Sequence, residues 1–201
     1  MDNLLFVNAC PRGEGESRTL RLARHFLDQA AQKQPDRAVT ELRLTELSLA
    51  CYHGAALKER EALMKAGDFS NPMFDLAKQF AAAERIVVAA PCWDLTFPAL
   101  LKVYLEHVCV PGITFGYTEK GPAGLCKAKK LLLITTKGGY FVPAAELTRD
   151  LAAVNFAALC GMWGIGTFQS LTAEGLDIAG NDPEQILGQA FTEAGRLAET
   201  F

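Results

Sequence analysis

Three short segments of the 201-residue chain bring together residue types that could hold a ligand. Residues 10–19, Cys-Pro-Arg-Gly-Glu-Gly-Glu-Ser-Arg-Thr, place hydroxyls and arginines just before a helical pattern begins. A helix N-terminus offers free backbone N–H groups and the positive end of the helix dipole, so Ser17, Arg18 and Thr19 suit a phosphate. Arg12 and Arg18 are opposed by Glu14 and Glu16, so attraction rests on N–H groups and hydroxyls. Charge-assisted bonds of that kind contribute about 1.5–3 kcal/mol each before desolvation. A plain polar connection capped by Ser17 would use the same residues. The second segment, Pro91-Cys92-Trp93-Asp94-Leu95-Thr96-Phe97-Pro98, sets two bulky aromatics between prolines, a stiff apolar platform for a planar ring. Ordinary core packing of Trp93 and Phe97 is the alternative. The third, Thr135-Thr136-Lys137-Gly138-Gly139-Tyr140, has paired glycines that permit close backbone approach. Together an anion site, an apolar platform and a glycine loop describe a phosphorylated planar cofactor.

The elements that would position these segments follow from hydrophobic periodicity. Leu4 to Asn8, Val39 to Leu44, Arg85 to Ala90, Lys130 to Thr136 and Thr167 to Leu171 read as short strands, several of them apolar without alternation, as in a sheet buried on both faces. Helical patterns separate them. One carries Leu20, Ala23, Leu27 and Ala31, and others run from Leu57 to Ala66, Phe74 to Ala83, Ala99 to Cys109 and Glu146 to Cys160. The last helix opens on Asp182-Pro183-Glu184-Gln185, an N-cap, a proline at N1 and a capping-box partner. Pro98 is expected at N1 of its helix. Strands alternating with helices give an α/β, doubly wound, five-stranded parallel sheet with helices on both faces, and 201 residues form one domain. Ligands in such sheets sit at the C-terminal strand ends, where all three segments fall.

Two named phosphate signatures are missing. Gly13-Glu14-Gly15 has Arg18 where a Gly-x-Gly-x-x-Gly fingerprint needs its third glycine, and the chain contains no Gly-Lys-Ser/Thr.

These residues resemble the flavodoxin-like NAD(P)H quinone reductase and FMN-dependent NADH-azoreductase family. The resemblance runs from the first loop through residues 91–104, Pro-Cys-Trp-Asp-Leu-Thr-Phe-Pro-Ala-Leu-Leu-Lys-Val-Tyr, to residues 112–125, Gly-Ile-Thr-Phe-Gly-Tyr-Thr-Glu-Lys-Gly-Pro-Ala-Gly-Leu, and Thr136 to Tyr140. It implies FMN as cofactor, with Arg12, Ser17, Arg18 and Thr19 at its phosphate and Cys10 close by. Pro91, Cys92, Trp93, Asp94 and Leu95 would line the isoalloxazine, and Thr136, Lys137, Gly138, Gly139 and Tyr140 would close its other side. It also implies hydride transfer from NADH or NADPH to a quinone-like or azo acceptor by a ping-pong route. No acid or base is assigned, although Tyr117 and Tyr140 are the polar side chains to test first. Several positions depart from the family pattern. Cys10 stands where many relatives have serine, Cys92 and Leu95 replace a common Met and Phe, and Asp94 replaces a usual Asn. An ionised carboxylate beside the ring would lower the flavin potential unless Asp94 is protonated or turned away, and Lys137 could offset that charge by facing the ring, although a loop lysine is more often simply solvated.

Other classes fit less well. A low-molecular-weight phosphatase needs Cys-x5-Arg, whereas Cys10 and Arg18 are spaced Cys-x7-Arg with Glu16 at the arginine position. A non-catalytic FMN electron carrier or redox sensor shares the fold, but such carriers are shorter and more acidic than a chain of net charge −3 with an extra segment at 45–72. Balanced charge and a pI near 5.7 argue against nucleic acid. The start has no signal-peptide pattern and no apolar run spans a membrane, so a cytoplasmic location is expected. The six cysteines include no Cys-x-x-Cys and His25, His53 and His107 lack mutual spacing, so no metal site is expected. Leu100, Leu101, Val103, Tyr104, Leu105, Val108 and Cys109 make their helix apolar around most of its circumference, which predicts a homodimer interface. Burial beneath the irregular 45–72 segment would explain the same pattern.

Overall fold

The computed structural model describes residues 3–141 and 150–201. Its strands in chain order are Asn3–Asn8 (β1), Ala38–Arg43 (β2), Arg85–Ala89 (β3), Phe115–Thr118 (β4), Gly121–Gly124 (β5), Lys130–Thr136 (β6) and Thr167–Ala173 (β7). The α-helices are Arg18–Lys33 (α1), Gly54–Ala66 (α2), Asp75–Ala82 (α3), Ala99–Val108 (α4), Leu151–Trp163 (α5) and Pro183–Thr200 (α6). Five strands form one parallel sheet in the order β2-β1-β3-β6-β7. Counting the sheet strands alone, this is the 2-1-3-4-5 order, whose switch point lies between β1 and β3.

The apolar runs are continuous because both faces of the sheet are covered. Successive side chains point to opposite faces, so Leu4 and Phe6 pack into the layer of α1 and α6, with Phe26, Leu187 and Phe201. Leu5 and Val7 pack into the other layer, with Leu101, Tyr104, Phe156 and Trp163 of α4 and α5. No helix among the described residues is long and apolar enough to cross a membrane.

Local signals set most boundaries. Asp182 accepts from the N–H groups of Glu184 and Gln185 and Pro183 occupies N1, so α6 starts where its cap was expected. Several expectations need correction. Pro98 is the N-cap of α4, not N1, because its backbone is extended (ψ 143°) and its carbonyl already accepts from Leu101. The helix expected from Phe74 begins as a 3₁₀ turn, Pro72–Phe74, capped by Asn71. Of the helix expected at Glu146 to Cys160, residues 146–149 lie outside the described residues. Its described part, α5, starts after the Asp150 cap, runs through Gly161 and stops at Gly164, whose φ of 76° suits glycine. The last sheet strand continues two residues past Leu171 to Ala173.

The antiparallel pair β4–β5 has no counterpart in the sequence reading. Gly124 explains how it seats: a Cβ there would lie 2.0 Å from backbone atoms of Trp163 and Gly164. The hairpin therefore touches the end of α5 backbone to backbone, a contact that only glycine allows.

Candidate functional site

A crevice of about 110 Å³ opens at the C-terminal ends of β1, β3, β6 and β7, lined by Pro11, Arg12, Ser17, Arg18, Thr19, Pro91, Cys92, Trp93, Thr136, Gly138 and Asp177. All three segments singled out by sequence therefore reach one place.

One wall is the start of α1. Ser17 is its N-cap and its Oγ accepts from the Leu20 N–H at 3.1 Å. The N–H groups of Arg18 and Thr19 have no partner among the described residues, as expected in the first turn of a 16-residue helix. Thr19 Oγ1 lies 2.6 Å from Thr136 Oγ1, so the helix start is tied to the end of β6. Arg18 reaches across the crevice and donates to Asp177 Oδ1 at 2.9 Å and to the Leu176 carbonyl at 3.4 Å.

The charge balance of this loop differs from the expected cancellation. Glu14 is drawn away from the crevice by Arg24, which also donates to both oxygens of Glu41 on β2. Burial would raise the Glu41 carboxyl, but hydrogen bonds from Arg24, Asn8 and Arg43 outweigh it and hold the group at about 2. Facing the crevice, Arg12 and Arg18 are opposed chiefly by Asp177.

Cys10 does not line the crevice. Its thiol is buried against the Ala89 carbonyl, 3.6 Å away, and burial pushes it up to about 11. A buried thiol that stays protonated at neutral pH is not a nucleophile, which removes the physical basis of the phosphatase alternative.

The second wall is the 91–97 loop. The Cys92 N–H donates to the Thr136 carbonyl at 3.0 Å, and Trp93 and Thr96 exchange backbone hydrogen bonds of 3.2 and 2.9 Å. Between them Asp94 (φ 49°) and Leu95 (φ 67°) both adopt left-handed backbone, the geometry of a tight hairpin turn. The two aromatics have different fates. Phe97 is buried against Phe156, as the core-packing alternative required, whereas Trp93 is 44% exposed and lines the crevice. Asp94 and Leu95 are exposed at the turn tip and do not line it. Burial raises the Cys92 thiol, opposed by the nearby Lys137 charge.

The third wall is the end of β6. Thr136 and Gly138 line the crevice, and a Cβ on Gly138 would lie 2.5 Å from Asp177 Oδ2. Gly139 is outside the lining. Lys137 is neither solvated nor turned toward the crevice: it is buried, with its ammonium 2.5 Å from Asp150 and 2.7 Å from Glu174. Tyr140 leans on Gly175 and its hydroxyl accepts from Asn181 at 2.8 Å, away from the lining, while Tyr117 is exposed on the β4–β5 hairpin. Neither tyrosine is placed as an acid for this crevice.

Sequence reasoning missed Pro11 and Asp177 as lining residues. Pro11 lay within the quoted loop without chemistry of its own. Asp177 lies after β7, the one neighbouring strand end that the motif search passed over, so the strand-end rule applied there would have found it.

The profile of the family described as "Flavodoxin-like fold" matches residues 2–197. The chain is 33% identical over 201 residues to the "FMN-dependent NADH:quinone oxidoreductase 2" of Clostridium acetobutylicum, covering 100% of both proteins. It is also 33% identical over 204 residues to the "FMN-dependent NADH:quinone oxidoreductase" of Coprothermobacter proteolyticus, again covering 100% of both. Among solved structures, an azoreductase from Bacillus anthracis superposes with a TM-score of 0.87 at 28% identity, covering 100% of both chains.

Proposed function

The chain belongs to the flavodoxin-like family, and from that membership and the geometry of the crevice we propose that it is an FMN-dependent oxidoreductase passing electrons from NADH to a quinone, with azo compounds as further acceptors. The full-length relatives named for that activity support the class. The observation that carries the reading onto this chain is the meeting, in one crevice, of free N–H groups at the start of α1, the Trp93 turn and the Thr136–Gly138 end of β6.

These residues fit the group. The N–H groups of Arg18 and Thr19 and the Ser17 hydroxyl would hold the phosphate, with Arg12 adding positive charge at the mouth. The backbone of Pro91 to Trp93 and the Thr136 to Gly138 end of β6 would flank the ring. FMN, when bound, supplies the capacity to accept a hydride and pass it on. The chain's part is to bind and orient. Thr19 and Thr136 lock the phosphate wall to the ring wall, and the hydrogen bond from Cys92 to Thr136 locks the Trp93 turn to the same strand end. Asp177 holds Arg18 across the mouth, which keeps the guanidinium near the phosphate wall.

We also propose that the chain acts as one domain and assembles as a two-fold homodimer. The apolar circumference of α4 is largely explained by burial: Leu101, Tyr104, Leu105 and Val108 are in the core, and Leu47, Leu49 and Leu76 pack into the same cluster. The surface that supports a dimer is instead α5, which has no charged residue from Leu151 to Trp163 and exposes Leu151 (47%) and Val154 (56%). Beside it a groove of Leu105, Cys109 and Leu159 carries Lys102 and Glu106 at its rim.

Loading the purified protein with FMN, desalting it and quantifying flavin per chain tests the cofactor, and steady-state NADH oxidation with an added quinone tests the activity. About one flavin per chain and quinone-dependent turnover with parallel double-reciprocal lines are expected. Retained flavin without NADH oxidation would favour an electron carrier.

A further inference from the structure

Lys137 is the only charged residue among the described residues that is buried, at 3% exposure. An ammonium removed from water is tolerated only when fully paired, and here two carboxylates from separate segments meet it. Asp150 caps α5 and Glu174 follows β7. Each divides its two oxygens in the same manner. Asp150 gives Oδ2 to Lys137 and Oδ1 to the Ala153 N–H, and Glu174 gives Oε1 to Lys137 and Oε2 to the Phe141 N–H at 3.3 Å. The Phe141 ring lies 4.5 Å from the same ammonium.

The consequence falls on the three residues in between. Lys137 and Phe141 bracket Gly138 to Tyr140, and one ion cluster fixes both ends. The backbone of the segment is held on one side only. Lys137 donates to Ala173, while the carbonyls of Lys137, Gly138 and Gly139 accept from Leu176, Asp177 and Gly175 on the β7 loop. The carbonyls are thus occupied, whereas the N–H groups of Gly138 and Gly139 have no partner among the described residues.

We infer that Lys137 is a positioning residue for the cofactor: by clamping Asp150 and Glu174 it fixes both ends of the Gly138–Tyr140 segment and so holds the free Gly138 N–H at the crevice. This rests on the FMN reading above. The ammonium's own partners, Asp150 and Glu174, lie outside the crevice lining. The lysine acts through the segment that follows it.

The test measures the FMN dissociation constant by fluorescence quenching, alongside thermal unfolding of the FMN-free protein. Lys137→Met leaves two facing carboxylates without their cation, and a rise in dissociation constant of at least about tenfold is expected, with Lys137→Arg recovering most of it. The double variant K137M/E174Q relieves the repulsion, so its melting temperature recovers while its FMN affinity stays low. That split separates positioning from a purely structural role. Should Lys137→Met fail to fold, the double variant carries the comparison, with Glu174→Gln alone expected to weaken FMN by a smaller factor. Wild-type affinity in a folded Lys137→Met, or affinity that returns together with stability in the double variant, would overturn the inference. A wild-type protein that binds no FMN overturns the functional reading instead, and does so before any variant is made.

Discussion

Thr19 Oγ1 and Thr136 Oγ1 lie 2.6 Å apart at the floor of the crevice, joining the first turn of α1 to the last residue of β6. Both residues are buried, so each hydroxyl depends largely on the other for a partner. The bond couples the wall that would take a phosphate to the wall that would take a ring.

Replacing either threonine by valine strands the other hydroxyl, and each single variant is expected to lose about 1–3 kcal/mol of stability. The double valine variant should lose less than the sum, by about 1 kcal/mol, because no orphaned hydroxyl remains. Urea unfolding of the four proteins in a double-mutant cycle checks this.

Glu41 gives the protein an acid-sensitive anchor. Its folded carboxyl sits at about 2, below the usual value of 4.5. A depressed folded value stabilises above the unfolded pKa, so the contribution is complete above about 4.5 and is lost as pH falls toward 2. Solvent screening of this half-buried group limits the effect to about 1 kcal/mol. Glu41→Gln should flatten that part of the stability profile. Unfolding measured from pH 6 downward would show both profiles.

The Trp93 to Thr96 turn stores strain at Leu95, which is 52% exposed and left-handed. Leu95→Gly is expected to raise stability by about 0.5–1 kcal/mol, and Leu95→Val, β-branched at the same φ, to lower it by about 1–2 kcal/mol. Asp94 fits this backbone better, since short polar side chains tolerate it. Its carboxylate is exposed at the turn tip and outside the crevice lining, the turned-away case in which the lowering of flavin potential expected from sequence does not apply. Asp94→Asn should shift the midpoint potential by well under the ~30 mV that a tenfold effect on a two-electron couple produces. Potentiometric titration of FMN-loaded protein decides it.

Val154 sits at the centre of the exposed apolar face of α5. In a dimer formed through that face, Val154→Glu buries an unpaired carboxylate and should weaken association by about 3–5 kcal/mol, while leaving the fold intact. Sedimentation of wild type and variant at micromolar concentration reads the difference. A wild-type monomer would contradict the dimer.

How far the sequence reached depended on whether the deciding contact was local. Lys130 to Thr136 was legible residue for residue because a strand buried on both faces has an unbroken apolar run. Ser17 and Asp182 were legible because a cap and its acceptor lie within one turn. The β4–β5 hairpin was not, since Gly-Tyr-Thr-Glu-Lys-Gly-Pro-Ala-Gly has little strand propensity and is held by the approach of Gly124 to the end of α5. Lys137 was misread for the same reason. Its partners Asp150 and Glu174 lie 13 and 37 residues away, and a lysine in a glycine loop carries no local sign of burial. The three loops were found because strand ends are predictable from the strands. Which of their residues turn inward was set by packing across the sheet, and so Trp93 and Phe97, alike in sequence, separate in the structure.

The most direct test of the proposed activity is the reductive half-reaction taken alone. FMN-loaded protein mixed anaerobically with NADH, without any acceptor, should lose its visible flavin absorbance, and adding a quinone should restore it within the mixing time of the turnover assay. Absorbance that persists in NADH would contradict the account and leave a flavin-binding carrier in its place.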